Sequence, residues 1–208
     1  AVPLTDFPGD EFLPRWSPDG REIVFYGGSQ NSEIMVMPAG GGVPKVLTSS
    51  PGRGSIQPSW SPGGLAIAFM TDRRDWRFWL VSRDSVGGAW QQAVPLTDFH
   101  CMGPDWAPDG SGVLCDTMRD LVLVSPQGRE VWRRDIAATY RLKLISGTSR
   151  YSRDGGTIYA SGDHRDGRRG VWAIPVAGGT PRLVVAFDDP ALANPVGFLS
   201  VGPDRLYL

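Results

Sequence analysis

The chain has little of the residue chemistry on which catalytic and metal sites depend. Its 208 residues include two histidines and two cysteines, and 21 Lys and Arg are balanced by 22 Asp and Glu. Without a basic excess, no strong field attracts nucleic acid phosphates, so nucleic acid is not an expected partner. Apolar runs such as "LAIAFM" at 65–70, "LVLV" at 121–124 and "LVVAF" at 183–187 are far shorter than the roughly 20 residues that cross a bilayer. Direct membrane insertion of this domain is not expected either.

One phrase returns four times along the sequence. It reads "WSPDGREIVFY" from residue 16, "WSPGGLAIAF" from 60, "WAPDGSGVLC" from 106 and "YSRDGGTIYA" from 151. The opening aromatic residues are 44, 46 and 45 positions apart, and a fixed period of this size indicates a propeller or a solenoid. Ser-Pro-Asp-Gly suits a type I turn followed by a left-handed glycine, so each phrase predicts a hairpin.

Each repeat contains four short β-rich runs, and no segment has a helical apolar period between credible caps. The sequence therefore predicts an all-β fold, a β-propeller of four-stranded antiparallel blades, without helices. We expect one domain over 1–208, with blades at about 12–48, 57–97, 103–136 and 147–185. Trp16, Trp60 and Trp106 should each end an innermost strand and pack against the neighbouring blade.

The two ends of the sequence predict partial blades at 1–5 and 196–208. "AVPLTDF" at 1–7 repeats at 93–99, where it would begin an outer strand, and "FLSVGPDRLYL" at 198–208 resembles a degraded turn phrase with two strands. Joined, these ends would form a blade without its third strand, which would expose unpaired backbone. We therefore expect a fragment of a longer propeller.

The phrases "WSPDGREIVF…SEIMVMPAGGGVPKVLT" and "SRDGGTIYA…GVWAIPVAGGTPRLVV" resemble the repeat of TolB-type β-propellers. Proteins with such repeats include periplasmic envelope scaffolds, propeller lids of prolyl-oligopeptidase-like enzymes and propellers of bacterial signalling proteins such as serine/threonine kinases. The resemblance implies a non-catalytic module of a larger bacterial protein that binds another protein or a cell-envelope component, and it favours a periplasmic or extracytoplasmic location. The alternatives are a gate for a hydrolase domain elsewhere in the polypeptide or a metal-dependent lyase.

The densest charge lies in predicted loops on one face of the propeller, "TDRRDW" at 71–76 and "GDHRDGRR" at 162–169. Binding residues often lie on loops of a rigid scaffold, although solvated loop tips with weak ion pairs would have the same composition. The candidate binding residues are Arg53, Arg73, Arg74, His100, Arg119, His164, Arg165 and Asp166.

No catalytic, metal or cofactor site is expected. The sequence lacks the G-x-S-x-G motif of α/β-hydrolases, and "GRGS" at 52–55 is interpreted as a loop. The set His100, Cys101, Cys115 and His164 matches no metal-ligand spacing. "TDFPGDE" at 5–11 and "FDDP" at 187–190 lack the ligand spacing of a calcium loop.

The two cysteines lie on the arms of the third blade's inner hairpin. Counting outward from its turn pairs Cys101 with about Asp116, one position from Cys115. Because neighbouring strand positions point to opposite faces, the sequence predicts two unlinked thiols more readily than a disulfide.

Overall fold

The structure is a computed structural model, and it describes residues 3–6, 9–28, 32–48, 54–71, 76–188, 199–202 and 206–207. These residues form four antiparallel blades and a separate two-stranded ribbon. The predicted all-β propeller fold is confirmed. Within these ranges, no helix is long and apolar enough to cross a membrane.

The first two blades each contain four strands in sequence order. Blade 1 comprises β1 (Asp10–Trp16), β2 (Glu22–Gly28), β3 (Glu33–Pro38) and β4 (Lys45–Val46). Blade 2 comprises β5 (Ser55–Trp60), β6 (Ala66–Thr71), β7 (Arg77–Ser82) and β8 (Val94–Pro95). Residues 3–6 form no strand, and the Leu4 carbonyl instead accepts from the backbone N–H of Gly42 at 3.4 Å.

Blade 3 has the same order, whereas blade 4 has a divided inner strand. Blade 3 comprises β9 (Met102–Trp106), β10 (Val113–Asp116), β11 (Asp120–Val124) and β12 (Glu130–Asp135). Helix α1 (Ile136–Tyr140) leads to blade 4, which comprises β13 (Leu142–Leu144), β14 (Arg150–Tyr151), β15 (Thr157–His164), β16 (Arg169–Pro175) and β17 (Arg182–Ala186). The ribbon comprises β18 (Ser200–Val201) and β19 (Leu206–Tyr207).

The repeated turn forms as predicted in all four blades. The carbonyl of its first residue accepts from the N–H of the glycine three positions on at 2.9 Å each time. These glycines, Gly20, Gly64, Gly110 and Gly155, have φ between 68° and 76°. Because this conformation is costly for residues with a Cβ, glycine is required at these positions.

Three of the four aromatic residues that open the phrase pack between blades. Trp60 is 8% exposed and lies among Val24, Ile34 and Val36 of blade 1 and apolar residues of blade 2. Trp106 and Tyr151 occupy the corresponding clusters between blades 2 and 3 and between blades 3 and 4. Each blade is thus held on the preceding blade by a large apolar side chain, as in repeat proteins stabilised by their neighbours.

The prediction that Trp16 is packed in this way was wrong. Trp16 ends β1 as expected, but its side chain is 62% exposed because no described blade precedes blade 1. The presence of tryptophan at this position therefore does not by itself determine whether the side chain is buried. Burial also requires a neighbouring sheet against which the ring can pack.

The expectation of no helix was also wrong. Helix α1 has only five residues, which is too short for a helical period to be visible in the sequence. The carboxylate of Asp135 caps it by accepting from the backbone N–H of Ala138 at 2.7 Å, and Ile136 is fully buried. Packing of Ile136 in the cluster between blades 3 and 4 stabilises the single turn.

The two cysteines form a disulfide, which corrects the expectation of unlinked thiols. Both are fully buried, and their Cα atoms are 5.3 Å apart. The pairing of β9 with β10 shifts between Leu114–Asp105 and Asp116–Met102, where β9 contains one extra residue at a β-bulge. Without this bulge, the register of Leu114 with Asp105 would place Cys101 opposite Met118, three positions from Cys115 and on the other face of the sheet. The extra residue places Cys101 at the level of Thr117, two positions from Cys115, which puts the two cysteines on the same face.

Candidate interaction site

The structure brings four of the eight predicted binding residues together. Arg53, Arg73 and Arg74 lie outside the described residues. His100 is exposed on the connection between blades 2 and 3. The remaining four, Arg119, His164, Arg165 and Asp166, lie on hairpin loops of blades 3 and 4 beside the two ends of α1.

Helix α1 connects these two loops. The Arg119 carbonyl accepts from the backbone N–H groups of Ile136 and Ala137 at 2.9 and 3.0 Å, at the start of the helix. At the other end, Arg165 donates its backbone N–H to the carbonyl of Arg141 at 3.1 Å. We call this surface the basic platform, and it consists of Arg119, helix α1, Arg141 and residues 164–168.

The charges of the basic platform are only partly neutralised. Arg168 contacts Asp166 at 2.7 Å, and Arg119 is 3.8 Å from Asp135. Hydrogen bonds from Arg168 and then from His164 hold the pKa of the Asp166 carboxyl well below its usual range, so this residue remains ionised. Four arginines share two aspartates here, which leaves the surface positive.

A pocket of about 330 Å³ opens between α1 and blade 4. Its walls include Tyr140, Arg141 and Leu142, and Trp172 lies among its lining residues. The guanidinium of Arg168 and the imidazole of His164 lie 5.2 and 5.5 Å from the Trp172 ring. The pocket therefore combines an aromatic and apolar lining with cationic groups.

A second group of polar residues lies on the inner strands, and sequence reasoning missed it. The residue before each repeated aromatic is polar: Arg15, Ser59, Asp105 and Arg150. Two of these side chains join adjacent blades, because Ser59 Oγ accepts from the backbone N–H of Trp106 at 3.3 Å and Asp105 Oδ2 from that of Tyr151 at 2.8 Å. The polar residue that recurs before each repeated aromatic residue was the sequence signal that could have predicted this group.

Two carboxylates in this region have raised pKa values. Burial raises the pKa of Asp105, opposed mainly by the Arg150 guanidinium. Burial also raises the pKa of Asp116 to about 6, although its oxygens accept from the Met118 N–H at 2.7 Å and from Ser149 Oγ at 3.2 Å. Arg150 is 5% exposed, and burial lowers its pKa to about 10. We call Arg15, Asp105, Asp116, Ser149 and Arg150 the inner-strand cluster.

The inner-strand cluster is suited to stabilising the blade interfaces rather than to reacting with a substrate. Asp116 and Ser149 are completely buried, so a substrate has no access to this hydroxyl and its hydrogen-bonded carboxylate. Among the described residues, no group of three or more His, Cys, Asp or Glu side chains could hold a metal ion.

Comparison with solved structures identifies the fold. TolB from Acinetobacter baumannii is 16% identical, with a TM-score of 0.66 over 86% of this chain and 44% of that protein. The chain has the TolB-like β-propeller fold. A puromycin-hydrolyzing peptidase of Mycobacterium tuberculosis, also 16% identical, has a TM-score of 0.61 over 85% of this TolB-like chain and 29% of the peptidase.

Sequence comparison finds a peptidase that is similar to part of this chain. The uncharacterized peptidase YuxL of Bacillus subtilis (strain 168) is 30% identical in an alignment 112 residues long that covers 49% of this chain and 16% of YuxL. No protein-family model matches the sequence. The TolB-like chain thus spans less than half the length of each of these three proteins, and their sequences and folds establish a propeller module without assigning its role.

Proposed function

We propose that this propeller is a non-catalytic protein-binding module of a larger bacterial protein, such as an envelope scaffold or a sensor domain, and that its partner binds the basic platform. The observation that carries the proposal is that backbone hydrogen bonds join the loop of Arg119 in blade 3 to the start of α1 and the loop of Arg165 in blade 4 to its end. Four exposed arginines, Arg119, Arg141, Arg165 and Arg168, therefore lie at the ends of α1 or on these two loops. A rigid scaffold that presents charged loops is suited to recognition, because little conformational entropy is lost on binding.

The disulfide supports an extracytoplasmic location for this module. Disulfides persist in the periplasm and outside the cell and are rare in the reducing cytosol. Cys101 and Cys115 are both fully buried, so the cross-link belongs to the packed interface between blades 2 and 3.

The proposal is tested by removing two platform charges without disturbing the fold. The variant Arg119→Gln/Arg165→Gln should lose a protein that the parent propeller captures by cross-linking in bacterial envelope extract, measured by quantitative mass spectrometry. The matched control is Arg21→Gln/Arg153→Gln, which removes the same charge from exposed residues of the repeated turns. Equal capture by the parent and the platform variant would contradict the proposal.

A second candidate function is supported by the peptidase matches. The propeller would then act as a gate that limits access to a hydrolase domain elsewhere in the full-length protein. In that case the full-length protein should hydrolyse aminoacyl p-nitroanilides, and removal of residues 1–208 should extend its activity to larger peptides. A full-length protein without hydrolase activity would exclude the gate.

A further inference from the structure

We propose that the pocket between α1 and blade 4 binds a carboxylate group together with an adjacent apolar side chain of a protein partner. The carboxylate is either that of an acidic residue or that of the partner's carboxyl terminus. This inference rests on the proposed function and specifies the chemistry that the basic platform recognises.

The apolar part of the pocket is preformed. Trp172 is 3% exposed, and its indole Nε1 donates to the Gly162 carbonyl at 3.1 Å, which fixes the ring. Leu142 is 1% exposed and also lines the pocket. The volume of about 330 Å³ is at the lower end of the roughly 300–1,000 Å³ range of small-ligand sites. The pocket is therefore suited to a side chain and the polar group next to it.

The two arginines that line the pocket, Arg141 and Arg168, have N–H groups that can donate hydrogen bonds to a ligand. Arg141 is exposed, and the described residues form no ion pair with its side chain. Arg168 uses its Nε and one terminal nitrogen to contact Asp166 Oδ2, both at 2.7 Å, so that further N–H groups of its five remain. Guanidinium groups match the two oxygens of a carboxylate, which favours this ligand class.

The neighbouring carboxylate of Asp166 does not prevent anion binding. Its charge is compensated by Arg168, and its Oδ1 lies 2.8 Å from His164 Nδ1. Because Asp166 lies outside the residues that line this pocket, the cations nearest an incoming group are Arg141 and Arg168. A nucleic acid is disfavoured as the ligand because the protein has no overall basic excess.

The probes are three acetylated dipeptides that contain phenylalanine and differ in whether, and where, they have a carboxylate. Acetyl-Phe-Glu-amide has its carboxylate on the glutamate, acetyl-Ala-Phe with a free carboxyl has it at the terminus, and acetyl-Phe-Gln-amide has none. Each is titrated into the ¹⁵N-labelled protein, and amide shifts are followed by NMR. We expect saturable shifts at Tyr140, Arg141 and His164 with at least one acidic peptide, and affinity at least about tenfold weaker for the neutral peptide. The acidic peptide that binds more tightly identifies the source of the carboxylate.

Two charge-matched variants test the site. Arg141→Gln should weaken binding of the acidic peptide about tenfold and keep the backbone bond to Arg165, whereas Lys143→Gln should change it less than twofold. Lys143 is an exposed residue two positions along, outside the pocket, between the buried Leu142 and Leu144. If Arg141→Gln perturbs the spectrum beyond the pocket, Arg168→Gln replaces it with the same expectation.

The proposal is overturned if the acidic and neutral peptides bind equally, if neither binds, or if the two pocket variants bind like the parent. These outcomes differ from a failure of the proposed function. If the acidic peptides do not bind but partner capture still depends on Arg119 and Arg165, the pocket assignment is wrong and the binding module stands. If the acidic peptides bind but the parent and the Arg119→Gln/Arg165→Gln variant capture the partner equally, the proposed function fails instead.

Discussion

The leading edge of blade 1 and the interfaces among blades 2, 3 and 4 use the same sequence phrase with different results. Trp16 is 62% exposed, whereas Trp60, Trp106 and Tyr151, at the same position of their blades, are 7–8% exposed. The strand that carries each residue ends in the same way. A propeller repeat therefore specifies a docking surface, and the preceding sheet determines whether that surface contributes to stability.

The inner strands of blades 1, 2 and 3 share a backbone irregularity, whereas the residue at its centre differs. In blades 1, 2 and 3 the register of the inner hairpin shifts by one residue, and the bulge contains Leu13, Gln57 or Gly103 with φ of 48°, 53° and 60°. Left-handed backbone costs a non-glycine residue about 1–2 kcal/mol. A Cβ on Gly103 would also lie 2.5 Å from Gly147 Cα, so blade 3 approaches blade 4 more closely than a side chain allows.

The largest expected effect separates the two regions directly. Trp60→Ala or Trp106→Ala should lower the free energy of unfolding by about 3–5 kcal/mol, because each leaves a cavity between two blades. Trp16→Ala should lower it by less than about 1 kcal/mol, because the ring is largely solvated. Urea denaturation of the three variants measures the difference, and a Trp16→Ala loss as large as that of Trp60→Ala would contradict the comparison.

The disulfide gives a second contrast, since it cross-links blade 3 alone among the described residues. The variant Cys101→Ala/Cys115→Ala opens a link between residues 14 positions apart and should cost about 3 kcal/mol. A reducing agent should lower the melting temperature of the parent protein and leave that of the variant unchanged. Equal melting of both proteins under oxidising conditions would show that the link contributes nothing.

The inner-strand cluster predicts an unusual pH dependence. Burial raises the pKa of Asp116 from its ordinary 3.8 to about 6, so the folded state binds more protons than the unfolded state between these values. The contribution of Asp116 should therefore fall as pH rises from 4 to 7, by about 2–3 kcal/mol. Denaturation of the parent and of Asp116→Asn at several pH values should show a decline that is about 2–3 kcal/mol smaller in the variant. Parallel pH profiles would exclude this assignment.

The smallest effect is expected on the basic platform. The Arg119 side chain is 74% exposed, and its contact with Asp135 is 3.8 Å long, so Arg119→Gln should change the free energy of unfolding by no more than about 0.5 kcal/mol. Thermal melting measures this change. A loss above about 2 kcal/mol would mean that Arg119 supports the fold, and its effect on binding could then not be assigned to partner recognition.

The repeat made the blades predictable because each local signal agreed with the architecture. The period, the turn glycines and the aromatic at the strand end all followed from spacing and turn chemistry. The bulge could not be predicted in this way, because leucine and glutamine rarely adopt the left-handed backbone conformation that Leu13 and Gln57 have here. The bulge in β9 shifts the strand register by one residue, which the sequence did not reveal. Cys101 and Cys115 were therefore expected on opposite faces of the sheet, although they lie on the same face and form a disulfide.

The candidate site was predictable only in part, for a related reason. Loop position alone placed Arg119 and His164 on one face, but their two loops are joined through α1, a five-residue helix that the sequence did not predict. The inner-strand cluster was hidden because Arg15, Asp105 and Arg150 are far apart in sequence and become related only through blade packing.

Residue-resolved amide hydrogen exchange under native conditions tests the central claim most directly. If docking on the preceding blade stabilises each inner strand, the amides of β1 should open at a free energy clearly below that of β5 and β9. Weaker protection of β1, with high protection of β9 and β10 next to the disulfide, is the predicted result. Equal protection of β1, β5 and β9 would contradict it, because the solvated Trp16 would then hold its strand as firmly as the buried Trp60 and Trp106.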